Sequence, residues 1–96
     1  EMPKFPEVRR DLAVLIDENV AYADLCRAAQ KSVKKILKQV SLFDVYRGDK
    51  IPEGKKQYAI NFVLQDPEKT LTDQEVEKAM SRLLATFQNQ FGAVLR

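Results

Sequence analysis

Between Asp11 and Ile16 the chain reads Asp-Leu-Ala-Val-Leu-Ile, apolar enough for a central strand that sets Leu12, Val14 and Ile16 on one side and Asp11, Ala13 and Leu15 on the other. After Asp17-Glu18-Asn19 the period changes. Leu25, Ala29, Val33, Ile36 and Val40 recur every three or four positions, which predicts a helix from about Tyr22 to Gln39, with Arg27, Lys31, Lys34 and Lys38 on its outer face. From Ser41 to Tyr46 the pattern alternates again and predicts a second strand, with Phe43 and Val45 facing the core and Leu42, Asp44 and Tyr46 facing away. Gly48, Pro52 and Gly54 interrupt the run. Alternation resumes from Lys56 to Gln65, with Tyr58, Ile60, Phe62 and Leu64 opposed to Gln57, Ala59, Asn61 and Val63, so the two strands form a hairpin with a long, basic loop.

The segment Leu71-Thr72-Asp73-Gln74-Glu75-Val76 carries the marks of a helix start. Thr72 can accept from the amide of Glu75, Glu75 can reach back to Thr72, and Leu71 can pack on Val76. A helix beginning at Asp73 would bury Val76, Ala79 or Met80, Leu83, Phe87 and Phe91, and Gly92 suits the left-handed residue that ends it. Ala93 to Arg96 remain as a short strand. The order strand, helix, strand, strand, helix, strand, joined by right-handed crossovers, predicts an α+β fold. It has a four-stranded antiparallel sheet in the order 4-1-3-2, with both helices on one face. Pro3 and Pro6 hold the first residues extended, and the chain opens on Glu1 rather than a methionine. Residues 1–7 are therefore expected to be a lead-in from a preceding domain of a longer protein, with the folded domain over 8–96.

Composition narrows the chemistry. Ninety-six residues at 45% hydrophobic content suit one core, and no apolar run approaches the ~20 residues a membrane helix requires, so a cytoplasmic domain with no membrane partner is expected. The chain has no histidine and a single cysteine, Cys26, which reads as a small buried hydrophobe. Without those side chains hydrolytic triads and thiol or zinc sites have no materials, and neither catalytic nor metal-binding residues are expected. Acylphosphatase-like chemistry would need an arginine-bearing phosphate loop after the first strand. Residues 17–21 contain none.

The net charge of +2 conceals an asymmetry, because residues 27–56 hold nine basic and three acidic side chains. That excess favours a polyanionic partner. If the helices cover one sheet face, the other presents Asp11, Ala13, Leu15, Asp44, Tyr46, Gln57, Ala59 and Asn61: a floor of small residues with one ring and polar walls. Such a surface suits a single unstacked nucleobase, and equally an ordinary solvated sheet face. The aromatics that RNA-recognition modules carry on their two central strands are absent. In the basic loop Arg47, Lys55 and Lys56 are candidates for phosphate contact, or side chains of a solvated turn.

Several segments, in order and spacing, resemble the ferredoxin-fold anticodon-binding domain that closes the beta chain of bacterial-type phenylalanyl-tRNA synthetases. They are Phe5-Pro6 followed by Arg10-Asp11-Leu12-Ala13; Leu42-Phe43-Asp44-Val45-Tyr46 with Gly48; Pro52-Glu53-Gly54-Lys55-Lys56; Thr70 to Val76; and Gly92 to Arg96. The resemblance implies a ferredoxin-like, non-catalytic domain that reads the first anticodon base, a guanine, of tRNA(Phe). It implies Ala13, Asp44 and Tyr46 as the residues used, with Tyr46 as the stacking ring and Asp44 as acceptor for the base, and with Gln57 where the family usually has serine. It further implies a parent ligase using ATP and magnesium, built with an alpha subunit and further beta-chain domains, and no cofactor in this domain. A single-chain organellar form ends in a similar domain. The alternative on the same fold is a protein-interaction or assembly module without RNA binding.

Overall fold

A computed structural model describes residues 5–96, so part of the expected lead-in over residues 1–7 lies outside the described residues. The elements are β1 (Val8–Asp17), α1 (Tyr22–Ser32), β2 (Leu37–Tyr46), β3 (Lys55–Leu64), α2 (Asp73–Phe91) and β4 (Val94–Leu95). All pairings are antiparallel, and the sheet runs β2-β3-β1-β4, the predicted order read from the opposite edge. The two long central strands, β1 and β3, pair over their full length from Val8↔Leu64 to Asp17↔Lys55. Their alternation divides the sheet into two unlike faces.

On one face Val14, Ile16, Ile60, Phe62 and Leu64 are fully buried beneath Leu25 and Ala29 of α1 and Val76, Leu83 and Phe87 of α2. Phe62 and Phe87 meet with ring centroids 6.3 Å apart, at a separation where aromatic pairs attract. Both helices therefore lie on this one face. The start of α2 is built as its sequence implies. The Thr72 hydroxyl accepts from the Glu75 amide at 3.1 Å, the Glu75 carboxylate accepts from the Thr72 amide at 2.9 Å, and Leu71 joins Val76 in the core. Gly92 ends the helix at φ 65°, a left-handed conformation that costs glycine little because it has no Cβ.

The first helix departs from expectation. It stops at Ser32 rather than Gln39, and residues 37–40 belong to β2. Val33, with φ −131° and ψ 58°, leaves the helical region although neither glycine nor proline is there to force it. The cause is tertiary. β3 offers backbone partners as far as Leu64, and β2 must begin at Leu37 to take them; Gln65 adds a bond from its amide to the Ile36 carbonyl at 2.9 Å. Val33 and Leu37 stay buried in either arrangement, so the four-residue spacing that suggested a continuous helix is also satisfied by a turn and a strand.

Candidate nucleic-acid interface

The second strand shapes the site through one irregularity. Leu42 pairs with Ile60, Asp44 with Ala59 and Tyr46 with Gln57, which leaves Phe43 as the extra residue of a β-bulge. A strict alternation would put Phe43 in the core and Leu42 outside. The bulge reverses this: Leu42 packs against the core with Val40 and Val45, and Phe43 is 60% exposed. The expectation that Phe43 helps form the core is thus corrected. Its signal was present, because the apolar positions are even at 40 and 42 and odd at 45, and one inserted residue is what reconciles them.

Beyond the bulge, Asp44 and Tyr46 share the face opposite the helices. The pairings place Ala13, Ala59 and Asp44 in one row across β1, β3 and β2, and Leu15, Gln57 and Tyr46 in the next. Neighbouring strands lie about 4.8 Å apart and alternate residues on one face about 7 Å apart, so the four predicted positions Ala13, Asp44, Tyr46 and Gln57 fall within one patch. The patch is uncovered: Asp44 and Tyr46 are exposed, while Ala13, Gln57 and Ala59 are half-buried in the sheet. Asp11 and Asn61 form its other border, joined by a 2.8 Å bond from the Asn61 amide to the Asp11 carboxylate. Farther along the same side Val63 is buried, so the open area ends there.

Tyr46 owes its placement to Gly48. A Cβ built at position 48 would lie 2.7 Å from the Tyr46 hydroxyl oxygen and 2.9 Å from the ring carbon bearing it, closer than real contacts permit. Only glycine lets the ring lie where it does.

One residue of the patch escaped the sequence reading. The backbone amide of Arg96 donates to the Ala13 carbonyl at 2.9 Å, which extends the Ala13 row to the far edge strand, and its Nε donates to Gln57 Oε1 at 3.1 Å. Since arginine carries only donors, the Gln57 atom facing it must be the oxygen, and the amide NH2 is left for another partner. Nothing local in Ala93 to Arg96 signals this role, which depends on how β4 registers against β1.

The three cations expected at phosphate have separate fates. Arg47 chelates Glu18 at 2.8 and 3.0 Å from Nε and remains exposed; that bond holds the Glu18 carboxyl below the usual carboxylate range. Lys55 pairs with Asp17 across the β1–β3 ladder. Lys56 is only 5% exposed. Its ammonium donates to the Val20 carbonyl at 2.8 Å and sits 4.7 Å from the centre of the Tyr58 ring, which ties the β1–α1 loop to the sheet. Its expected role as a phosphate contact is accordingly corrected, because Lys56 alternates onto the helix-covered side and its charge is already used there.

Comparison with known proteins adds a second line of observation. A family model described as "Ferredoxin-fold anticodon binding domain" matches residues 3–96. The chain is 50% identical over 95 residues, 99% of its own length, to the phenylalanine–tRNA ligase beta subunit of Geobacillus kaustophilus. It is 48% identical over 96 residues to the protein of the same name from Bacteroides fragilis and 46% identical over 96 residues to that of Porphyromonas gingivalis. In each case the chain spans 12% of the relative's length.

Proposed function

The chain belongs to the ferredoxin-fold anticodon binding domain family, and from that premise we propose that its open sheet face receives the first anticodon base, a guanine, of tRNA(Phe). The observation that carries this reading is the uncovered patch in which the Ala13, Ala59, Asp44 row adjoins the Gln57, Tyr46 row. A flat heterocycle needs a floor without bulky side chains, which the two alanines provide, and a ring to stack on, which Tyr46 provides at a side of the floor. Guanine presents N–H donors and the O6 acceptor along its pairing edge. The Asp44 carboxylate suits the donors. The Gln57 amide NH2, left over when Arg96 engages the oxygen, suits O6, so a glutamine does here what a hydroxyl would do with a shorter reach.

Arg47 and Lys55 border the same face and would meet anticodon phosphates only by exchanging Glu18 and Asp17 for them, so they contribute the sequence-independent, salt-sensitive part of affinity. In this reading the domain is a non-catalytic part of a phenylalanine–tRNA ligase beta chain acting in the cytoplasm. The ATP- and magnesium-dependent joining of phenylalanine to tRNA takes place elsewhere in the assembly with the alpha subunit.

The test is a titration of the chain with the tRNA(Phe) anticodon stem-loop and with one altered at the first anticodon base, followed by NMR. Base-dependent shifts at Ala13, Asp44, Tyr46 and Gln57 are expected. Tyr46→Ala should weaken stem-loop binding by about 1–3 kcal/mol, the worth of one base–aromatic stack, without lowering the melting temperature. Shifts confined to the helices, with affinity indifferent to the altered base, would transfer the domain to an assembly role.

A further inference from the structure

The early end of α1 has a consequence on the opposite side of the molecule. Had the helix continued, Lys34 and Lys38 would have stayed on its outer, solvated face. Instead the turn over residues 33–36 carries Lys34 and Lys35 up to the first half of α2, and a groove of about 560 Å³ opens between them. Six cations line it: Lys31 at the end of α1, Lys34 and Lys35 in the turn, Lys69 before α2, and Lys78 and Arg82 on α2. Apart from Lys69, which pairs with Glu75, none of them takes part in an ion pair among the described residues, and those five are exposed.

The acidic residues of the groove are otherwise engaged. Glu75 is held by Lys69 and by the Thr72 amide, and buried Asp66 accepts from the Glu68 amide at 2.8 Å. Lys78 and Arg82 stand four residues apart on one helix face, an arrangement of like charges that weakens a helix unless an anion offsets it.

We propose that this groove binds an RNA phosphodiester backbone without reading its bases, at a place separate from the open sheet face. Five of the six cations are lysines, which bind phosphates as point charges and can follow them along a strand without a fixed two-pronged geometry. Among the described residues the groove lining includes no aromatic ring, so they offer no platform for base stacking. The inference does not depend on the base-reading proposal, because it concerns different residues on the helix-covered side.

Binding of a fluorescent twelve-residue oligouridylate, measured across a series of salt concentrations, tests it. Replacing two groove cations, as in Lys34→Gln with Lys35→Gln or in Lys78→Gln with Arg82→Gln, should lower the slope of log affinity against log salt by about 1.4, at about 0.7 per lost phosphate contact on a single strand. A control pair of equal charge change outside the groove, Arg27→Gln with Lys38→Gln, should leave the slope within about 0.3 of the parent chain's. Melting temperatures within a few degrees of the parent chain's establish that the variants are folded. Equal losses for groove and control pairs would mean that net charge alone is at work and overturn the site. Tighter binding of polyglutamate than of oligouridylate would overturn it in favour of an acidic protein segment.

Discussion

The two faces of the sheet are made by the same strands, one residue apart, yet they hold opposite kinds of surface. The covered face sets Val14, Ile16, Ile60 and Phe62 against two helices and leaves almost none of their area to water. Its neighbours on the open face, Ala13, Gln57 and Ala59, are small or polar and keep one side wet. Stability is thus concentrated on one face, and the other is free to change its side chains at little cost to the fold. A solvated face of this kind tolerates the exposed ring of Tyr46 and the carboxylate of Asp44, which the core would exclude.

Substitutions can break this division or sharpen it. The largest effect is expected from the covered face: Phe87→Ala removes a fully buried ring packed on Phe62 and should lower unfolding free energy by about 3–5 kcal/mol in a denaturant titration. Lys56→Ala comes next. It deletes a polar side chain that belongs to the covered face, with its bond to the Val20 carbonyl, and should lower stability by about 1–3 kcal/mol. Stem-loop affinity measured at a temperature where the variant is folded should hold; a loss of affinity without a loss of stability would return Lys56 to the phosphate contacts.

Gly48→Ala probes the open face alone. The added methyl must displace the Tyr46 ring, which can swing into solvent, so stem-loop binding should weaken by about 1 kcal/mol while the melting temperature moves little. An unchanged affinity would mean that the ring's present position is not the one that binds.

The smallest effect lies at the start of α2. The Lys69 ammonium and then the Thr72 amide hold the Glu75 carboxyl down to about 2. A folded-state value below the unfolded one contributes stability that is complete above the usual carboxylate range and is lost as the pH falls through that range toward 2. Glu75→Gln should therefore melt below the parent chain at neutral pH, and the gap should narrow between about pH 5 and pH 2. Glu7 and Glu18, held low by Lys38 and Arg47, titrate in the same direction in both proteins, so the difference between the two curves isolates Glu75.

Much of this was legible in the chain. The capping box at Thr72 and Glu75, the glycine stop at Gly92 and the strict alternation of β3 are local devices whose physics is complete within a few residues, and each appears where its pattern lies. The site was legible for the same reason. Once β1 and β3 alternate, Ala13, Gln57 and Ala59 must share a face, and Tyr46 and Asp44 differ by two and must share one too.

What sequence alone determined, then, was the succession of elements and the side of the sheet each central-strand residue takes, because period and capping are short-range properties. Tertiary structure decided where α1 gives way to β2, which way Phe43 faces, that Lys56 is buried and that Arg96 reaches Gln57. Each of those depends on a backbone or side-chain partner distant along the chain. Residues 33–40 suit helix and strand almost equally, and the choice falls to the strand because β3 has hydrogen bonds to be satisfied as far as Leu64.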